Sequence, residues 1–484
     1  MIFDLKLNND SPKKIQIENY IKKLIEDGIL QNGEKLPSTR EMSLMLKVSR
    51  NTIINVYDSL SESGFTSTMQ GTGTFVSGNE SLPYLGNSLA WTSLINSYAK
   101  KAEALDIVKH EARSKRGMIS FDSISPNKNL FDLDEFKRDF LNILSLEGNN
   151  ILNYGYAKGY KPLIDYLKKY IGDKGIDLNN KDILITNGFT EGFDIVLSSI
   201  TKSGDKIICE NPTHNTAIKL MKLHDLKILG IPMENDGIDI SKLEEELKNS
   251  EQAKLAYFIP SYHNPTGIVM SPQKRLDVLK LFNTYKIPII EDGFNEELRY
   301  SNSNITPIAA LNHSGNGVIY IGSFSKILFP GLRIGWVVAD KELIYYLESV
   351  KRSRNIHTSF LDQAVFYEYL KAGNFNKYVK RAKKYYKEKY ELAIKYANMY
   401  IPYTKIYGEG GLHIFIQVNG INSRDILKEC YKKGVIFTPG DIFYTDEKGS
   451  NTFRLGLSRV SKKDIKDGFK IIGDTIKDFL MRSV

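Results

Sequence analysis

Cysteine is almost absent from this 484-residue chain. The two that occur, Cys209 and Cys430, lie far apart and fit neither a disulfide framework nor a metal-ligand spacing, which is typical of a reducing compartment. Long hydrophobic runs are missing too: no stretch reaches the roughly 18 apolar residues that a membrane-spanning helix requires. The first ten residues, MIFDLKLNND, lack the apolar core of a signal peptide. The sequence therefore favours a cytoplasmic protein without a membrane partner.

The composition is that of a globular protein. Apolar residues account for 42% of the chain and charged residues for 25%, so disorder is not the default. The length predicts about three domains of roughly 150 residues each. The net charge is +9, but residues 1–80 hold nine Lys and Arg against ten Asp and Glu. Because the excess lies further along the chain, charge alone is weak evidence for a nucleic-acid partner.

The first eighty residues predict three helices and a short hairpin. Apolar residues at near-helical spacing indicate an amphipathic helix within 11–30. Ser38, with Glu41 three residues later, forms a capping-box signature for a second helix, TREMSLML. Ser49 caps a third helix, RNTIINVYDSLSESG, and FTSTMQGTGTFVS predicts two strands around the turn QGTG. This order is that of a winged helix, although the second and third helices alone also fit a plain helical hairpin.

Three motifs in this region carry a family resemblance. GILQNGEKLPSTR, VSRNT and GTGTFV follow one another within residues 11–77, and together they closely resemble GntR-type DNA-binding domains. The resemblance implies that the third helix enters the major groove of double-stranded operator DNA and that the wing tip approaches the minor groove. It implies contacts to phosphates or base edges from Arg40, Ser49, Arg50, Asn51, Thr52, Gln70 and Gly71. Taken alone, Arg50 also fits a solvated cation at a helix start.

Residues 78–118 are predicted to form a linker that is helical in part. Gly, Pro, Ser and Asn recur in its first half. Its second half predicts a helix with four apolar residues on one face, Trp91, Leu94, Ile95 and Tyr98. A basic patch closes it, made of Lys109, Arg113, Lys115 and Arg116. Such a patch either tracks DNA or keeps the linker soluble, and we prefer the second explanation.

From residue 119 onward, short apolar runs such as DILITNG, KLAYFIP and VIYIGSFSK alternate with helical patterns. This alternation predicts a mostly parallel sheet covered by helices, with ligands at the carboxyl ends of its strands. Lys326, Asp292, Asn264 and the turn Gly188–Thr190 each follow such a run. Each alone also fits a simpler explanation: a surface loop for Lys326, a capped turn for Asp292, a type I turn for Asn264 and a helix N-cap for Thr190. Together they supply the amine, carboxylate, amide and anion-binding turn that pyridoxal 5'-phosphate requires.

SFSKILFPGLRIG, HNPTG and FRLGLS extend a second resemblance over nearly all of residues 119–484. They resemble the fold-type I aminotransferases, and the fusion behind a GntR-like domain resembles the MocR/GabR family of regulators. The resemblance implies a multidomain chain: a winged helix-turn-helix at 1–77 followed by an α/β pyridoxal phosphate-dependent transferase fold. The latter would have a large, mostly parallel sheet domain at about 160–370 and a smaller α+β domain at about 119–159 and 371–484.

The second resemblance also implies a role for each matching residue. Lys326 would form an aldimine with pyridoxal phosphate, Asp292 would pair with the pyridine nitrogen, and Asn264 would donate to the phenolic oxygen. Arg454 would bind the α-carboxylate of a substrate, and His214 would take the place of the usual stacking aromatic. The phosphate would be held by Gly188, Phe189, Thr190, Ser323, Ser325 and Arg333. Tyr154 would reach the phosphate of a neighbouring subunit, which implies a homodimer.

Two positions depart from the family pattern. His214 stands where an aromatic residue commonly stacks on the cofactor ring, although histidine can stack too, and Phe294 stands where a tyrosine usually follows the pyridine-binding aspartate. Phenylalanine cannot donate to the phenolic oxygen, which disfavours rapid transamination but not cofactor binding. The resemblance thus implies a transcription regulator that senses an amine, an amino acid or pyridoxal phosphate by aldimine exchange at Lys326. The alternative is an active aminotransferase with an accessory DNA-binding domain, so the enzymatic activity is left open. A DNA-binding protein without cofactor is disfavoured, since Lys326, Asp292 and Arg333 are all present. The effector, the operator, the direction of regulation and the dimer geometry are not determined.

Overall fold

The computed structural model describes residues 5, 7–8, 11–69, 71–77, 89, 91–249, 253–294, 296–300, 306–313 and 315–482. They divide into two compact units, Met1–Asn96 and Ser97–Val484. Across these residues, no helix combines the length and the apolar character needed to cross a bilayer.

The first unit is a winged helix, as predicted. Its elements are α1 (Lys13–Glu26), α2 (Thr39–Leu46), α3 (Arg50–Glu62), β1 (Thr66–Met69), β2 (Gly73–Val76) and the short α4 (Trp91–Leu94). The capping box forms, because Ser38 Oγ accepts from the Glu41 amide while Glu41 Oε2 accepts from the Ser38 amide. β1 and β2 pair antiparallel as the wing. One apolar core joins all three long helices to the wing through Ile17, Ile21, Met42, Ile53, Val56, Leu60 and Val76.

The second unit begins with two short helices and continues with alternating strands and helices. Its first elements are α5 (Ser97–Ala104), α6 (Ile107–His110), β3 (Ile119–Ser120), α7 (Leu133–Glu147), α8 (Lys161–Gly172), β4 (Lys181–Thr186), α9 (Phe189–Ile200), β5 (Lys206–Asn211), α10 (Asn215–Leu223), β6 (Lys227–Glu234), β7 (Gly237–Ile238) and α11 (Ile240–Asn249). They are followed by β8 (Leu255–Phe258), α12 (Pro272–Tyr285), β9 (Ile289–Asp292), α13 (Ile308–Leu311), β10 (Val318–Ser323) and β11 (Gly335–Asp340).

Two further helices, α14 (Lys341–Asn355) and α15 (Phe360–Lys371), pack in the cores of the large sheet. The chain then forms a second, smaller α+β region. Its elements are α16 (Asn374–Tyr400), β12 (Lys405–Tyr407), β13 (His413–Gln417), α17 (Ser423–Lys432), β14 (Val435–Ile436), β15 (Thr438–Pro439), β16 (Thr452–Gly456) and α18 (Lys462–Arg482). α16 links the two regions, because Tyr378 and Tyr386 pack in the large core while Ala393 and Ala397 pack in the smaller one.

The large sheet has eight strands in the order β4-β11-β10-β9-β8-β5-β6-β7. The central strands are parallel, which confirms the mostly parallel sheet. β11, the predicted run RIGWVVAD, is antiparallel to both of its neighbours. The connection from β10, residues 324–334, holds only two 3-10 turns, whereas a parallel return is usually made by a crossover helix. The smaller sheet has the antiparallel order β12-β13-β16-β15.

The predicted linker helix forms differently. Residues 91–110 contain three short helices, α4, α5 and α6, and all four apolar residues of the predicted face are exposed. A helix without a buried face has little to stabilise it over several turns. Residues 97–118 are grouped with the second unit. The predicted limits of the linker and of the two aminotransferase-like parts remain predictions.

Candidate functional site

The candidate site lies at the carboxyl ends of the large sheet, where β10 leads into a short 3-10 turn, Phe324–Lys326. Ser323 Oγ accepts from the Ser325 amide at 3.2 Å and thereby shapes the turn that presents Lys326. Burial lowers the pKa of the half-buried Lys326 amine to about 8, aided by the positive charges of Arg454, Arg333 and Arg459 and opposed by Asp292. The neutral, nucleophilic amine is therefore accessible near neutral pH.

Asp292 ends β9, the parallel neighbour of β10, and lies beside Ile321 in register. Its Oδ2 accepts a hydrogen bond from the Tyr257 hydroxyl at 2.9 Å. Burial raises the pKa of Asp292 to about 8, with the hydrogen bond from Tyr257 opposing the shift and nearby carboxylates adding to it. Burial favours the neutral, protonated form of this carboxyl group. A cationic ring nitrogen beside it would favour the ionised carboxylate and pair with its charge. Sequence reasoning missed Tyr257, since its partnership depends on the alignment of two strands.

The predicted phosphate-binding residues meet where α9 begins. Arg333 donates through Nη1 to Ser325 Oγ at 3.1 Å and through Nη2 to the Asn187 carbonyl at 2.9 Å. Gly188, with φ +80°, passes so close that a Cβ there would lie 2.6 Å from Arg333 Nη2. Only glycine combines this backbone conformation with this clearance. The helix start, two serine hydroxyls and one guanidinium together make a site for an anion. Phe189 and Thr190 form the first residues of α9.

Asn264 and Arg454 connect the large sheet to the smaller one. Arg454, on β16, donates through Nη1 to Asn264 Oδ1 at 2.8 Å, and both side chains are buried. Because a guanidinium can only donate, it fixes the amide with Nδ2 pointing away as a donor, the orientation needed to bond a phenolic oxygen. Burial lowers the pKa of Arg454 to about 10, opposed by Asp122. Its Nε is buried and has no partner, so this guanidinium retains capacity for a carboxylate.

Two further predicted positions follow strands of the large sheet, His214 after β5 and Phe294 after β9. His214 lies just before α10, with its ring centre 5.6 Å from that of Phe189. Burial and the charges of Lys326 and Arg454 lower the pKa of His214 to about 3, so its ring is neutral and can lie against an aromatic ligand. Phe294 is half-buried against the apolar cores on both faces of the sheet, and its ring offers no hydroxyl.

Two buried polar residues near this site were not predicted. Glu210 and His263 are fully buried, with His263 Nε2 3.5 Å from Glu210 Oε2. His263 Nδ1 bonds Thr266 Oγ1 at 2.8 Å. Their only sequence signal is position: Glu210 precedes the NPTH turn and His263 precedes NPTG.

Tyr154 is 79% exposed, with its ring edge-on to His357 at 6.0 Å between centres. The structure therefore places Tyr154 at a surface, and its role toward a second subunit remains a prediction. Among the described residues, no cluster of three or more His, Cys, Asp or Glu side chains could hold a metal ion.

In the first unit, the candidate DNA contacts gather at two helix starts. Arg40 is exposed in the first turn of α2, and Arg50 and Asn51 are exposed in the first turn of α3. Ser49 Oγ caps α3 by accepting from the Thr52 amide at 3.1 Å. Arg50 Nε donates to Thr39 Oγ1 at 3.2 Å, which ties the two helix starts together. Of the predicted wing contacts, Gly71 is exposed with φ +81°, and Gln70 lies outside the described residues.

Comparisons with known proteins bear on both units. Residues 13–76 match the model of the bacterial regulatory proteins of the gntR family, and residues 124–472 match that of aminotransferase class I and II. Aromatic-amino-acid aminotransferase 1 of Thermococcus litoralis is 32% identical over 69% of this chain and 82% of its own. The uncharacterized HTH-type transcriptional regulator YdfD of Bacillus subtilis is 28% identical over 97% of this chain and 98% of its own.

A solved structure covers the second unit. The kynurenine aminotransferase of Pyrococcus horikoshii, crystallised in complex with PMP, KYN and KYA, has a TM-score of 0.75 and 30% identity. It covers 81% of this chain and 99% of its own. The likeness confirms the transferase fold of the second unit.

Proposed function

Because the chain belongs to the aminotransferase class I and II family and carries a gntR-type DNA-binding domain ahead of it, we propose that it is a transcription regulator. Its first unit binds operator DNA, and its second unit senses a small amine, an amino acid or pyridoxal phosphate. The cofactor is pyridoxal phosphate, as the family and its PMP-bound structural neighbour indicate. The residues present fit pyridoxal phosphate, since Arg333 and Gly188 form a site for an anion and Asp292 is a buried carboxyl group on the neighbouring strand.

When bound, pyridoxal phosphate supplies an aldehyde that exchanges amines reversibly and a ring that accepts electrons. The Lys326 amine, with a pKa of about 8, sheds its proton readily and can give way to the amine of a ligand. Asp292 would pair with the ring nitrogen of the cofactor and hold the proton there, and Asn264 Nδ2 would donate to its phenolic oxygen. Arg454 orients a ligand by its carboxylate. The regulator acts as a homodimer in this proposal, with the exposed Tyr154 reaching the partner's phosphate site.

One observation carries the proposal over a plain enzyme: the cofactor-binding groups are retained while Phe294 removes a donor to the phenolic oxygen. Without that donor the cofactor binds, but the electronic tuning that speeds transamination is weakened. The relative that spans 97% of this chain bears the name of a transcription regulator, which supports the same choice.

The test is a titration of the purified, pyridoxal phosphate-loaded protein with candidate amines and amino acids. Visible absorbance reports exchange at Lys326, and fluorescence anisotropy of a labelled fragment from the gene's own promoter reports DNA affinity in the same samples. If the protein is a sensor, at least one compound changes the absorbance and the DNA affinity with the same midpoint concentration. DNA affinity that ignores every compound that changes the absorbance contradicts the proposal.

The second candidate function is a working aminotransferase with an accessory DNA-binding unit. The observation in its favour is the buried Arg454, which Asn264 holds in place. A guanidinium in that position would bind the α-carboxylate of an amino-acid substrate. Steady turnover of an amino donor at roughly 1 per second or faster would favour this function.

A further inference from the structure

Part of the predicted linker lines a cavity in the second unit. The cavity measures about 530 Å³, and its walls include Asp122 and Arg454. They also include Ile107, Glu111, Arg113 and Ser114, which come from the segment just before the first strand of the aminotransferase-like fold. The cavity therefore has walls from the candidate carboxylate site, through Arg454, and from the segment that precedes the first strand of the second unit.

Two contacts to α17 hold this segment in place. Arg424 donates through Nη1 and Nη2 to the two carboxylate oxygens of Glu111 at 3.2 and 2.9 Å, and through Nε to Asp441. The Tyr431 hydroxyl donates to the Arg113 carbonyl at 3.1 Å. A two-armed guanidinium–carboxylate pair is stronger than a common surface ion pair, and the Glu111 side chain is only 21% exposed.

We propose that residues 107–114 are a movable wall of the effector site, and that the pair Glu111–Arg424 is the latch that holds this wall closed over a carboxylate-bearing ligand. The inference rests on the proposed function, because it takes the cavity around Arg454 as the place of the effector. A ligand that fills the cavity gains contacts with the closed wall, and by reciprocity it stabilises the closed wall. The wall lies near the start of the second unit, on the stretch of chain that follows the DNA-binding unit in the sequence.

Two probes separate the cavity from the cofactor position. N-(5'-phosphopyridoxyl)-L-leucine carries a carboxylate and a side chain beyond the ring, whereas pyridoxamine 5'-phosphate carries neither. Glu111→Gln should weaken binding of the leucine adduct to the cofactor-free full chain by about three- to tenfold and leave pyridoxamine phosphate unchanged. Lys101→Gln is the matched control, because Lys101, on the preceding helix α5, forms an exposed ion pair with Asp225 and is not part of the cavity wall. It should change neither affinity.

Limited trypsin digestion gives an independent readout. The bonds after Lys109 and Arg113 lie within the wall, and the Arg113 carbonyl is held by Tyr431. Because a protease cleaves a stretch of chain that has been released from its contacts, cleavage at these bonds reports the open wall. The leucine adduct should slow cleavage about fivefold in the wild type and clearly less in Glu111→Gln, while pyridoxamine phosphate should not slow it. Equal effects of the two probes, or an unchanged Glu111→Gln variant, would overturn the inference. If the latch behaves as expected but the adduct leaves DNA affinity unaltered, the regulator function fails and the movable wall stands.

Discussion

The two units place their candidate functional groups in opposite environments. In the first unit, Arg40 and Arg50 are exposed at helix starts and can be exchanged without disturbing the core. In the second unit, Asp292 and Arg454 are 6% and 7% exposed, and their pKa values depend on burial and on the charges near each of them. From this difference we expect that substitutions of exposed residues in the first unit change DNA binding without changing stability. Substitutions of buried residues in the second unit should change ligand binding and stability together.

The largest expected effect follows from Lys326→Ala. The variant should lose the imine absorbance of the pyridoxal phosphate-loaded protein entirely, because no other amine is held against Asp292 and Arg333 by the described contacts. Absorbance spectra before and after dialysis against excess cofactor measure this. Lys248→Gln removes an exposed lysine, paired with Glu244 on α11, and should keep the band. A retained band in Lys326→Ala would place the covalent link elsewhere.

The second effect tests whether buried charge and stability are coupled. Asp292 has a folded pKa of about 8 against an ordinary value of 3.8, so the folded protein binds one more proton than the unfolded chain between these values. The stability that this proton contributes is complete below about pH 4 and is lost as pH rises toward 8, by about 1.4 kcal/mol per pH unit. Asp292→Asn should remove this slope in cofactor-free protein. Urea unfolding between pH 5.5 and 7.5, followed by the fluorescence of the buried Trp336, measures the difference.

Pyridoxal phosphate provides the control for this slope. A protonated ring nitrogen beside Asp292 stabilises the carboxylate and lowers its pKa. The wild type saturated with cofactor should therefore lose less stability per pH unit than the cofactor-free wild type. Parallel slopes in the wild type and in Asp292→Asn without cofactor would show that Asp292 titrates as an ordinary solvent-exposed carboxyl group.

The sequence predicted local features well and long-range partners poorly. The capping box at Ser38 and the glycine turn at Gly188 depend on residues a few positions apart, so their signatures are visible in the sequence. The bond between Tyr257 and Asp292 depends on which strands are neighbours and how they align, which no local pattern encodes. The pair Glu111–Arg424 joins positions 313 residues apart, so the sequence showed a linker where the structure has a cavity wall.

The third effect concerns binding without stability. Arg50→Ala should weaken binding to the promoter fragment about tenfold, the cost of losing one base-reading arginine. The thermal unfolding of the chain should hardly change, because Arg50 is exposed and its side chain donates one hydrogen bond to the half-buried Thr39. Fluorescence anisotropy with promoter and unrelated DNA measures both affinities. Lys23→Ala removes the same charge from an exposed position on α1 and should affect the two DNAs alike. Equal promoter affinity in Arg50→Ala and wild type would contradict the recognition-helix assignment.

The smallest effect compares two helix caps of the same unit. Ser38 caps α2 and Ser49 caps α3 in the same way, because each hydroxyl oxygen accepts a hydrogen bond from a backbone amide in the first turn. Ser38→Ala and Ser49→Ala should therefore each cost about 1 kcal/mol of stability. Aspartate caps a helix as well as serine does but carries a negative charge. Ser38→Asp and Ser49→Asp should therefore both keep the thermal stability of the unit. If Ser49 meets a DNA phosphate, only Ser49→Asp repels it, and anisotropy should show weakened promoter binding for that variant alone. An equal loss of binding in both aspartate variants would mean that DNA senses the charge of the whole unit rather than the start of α3.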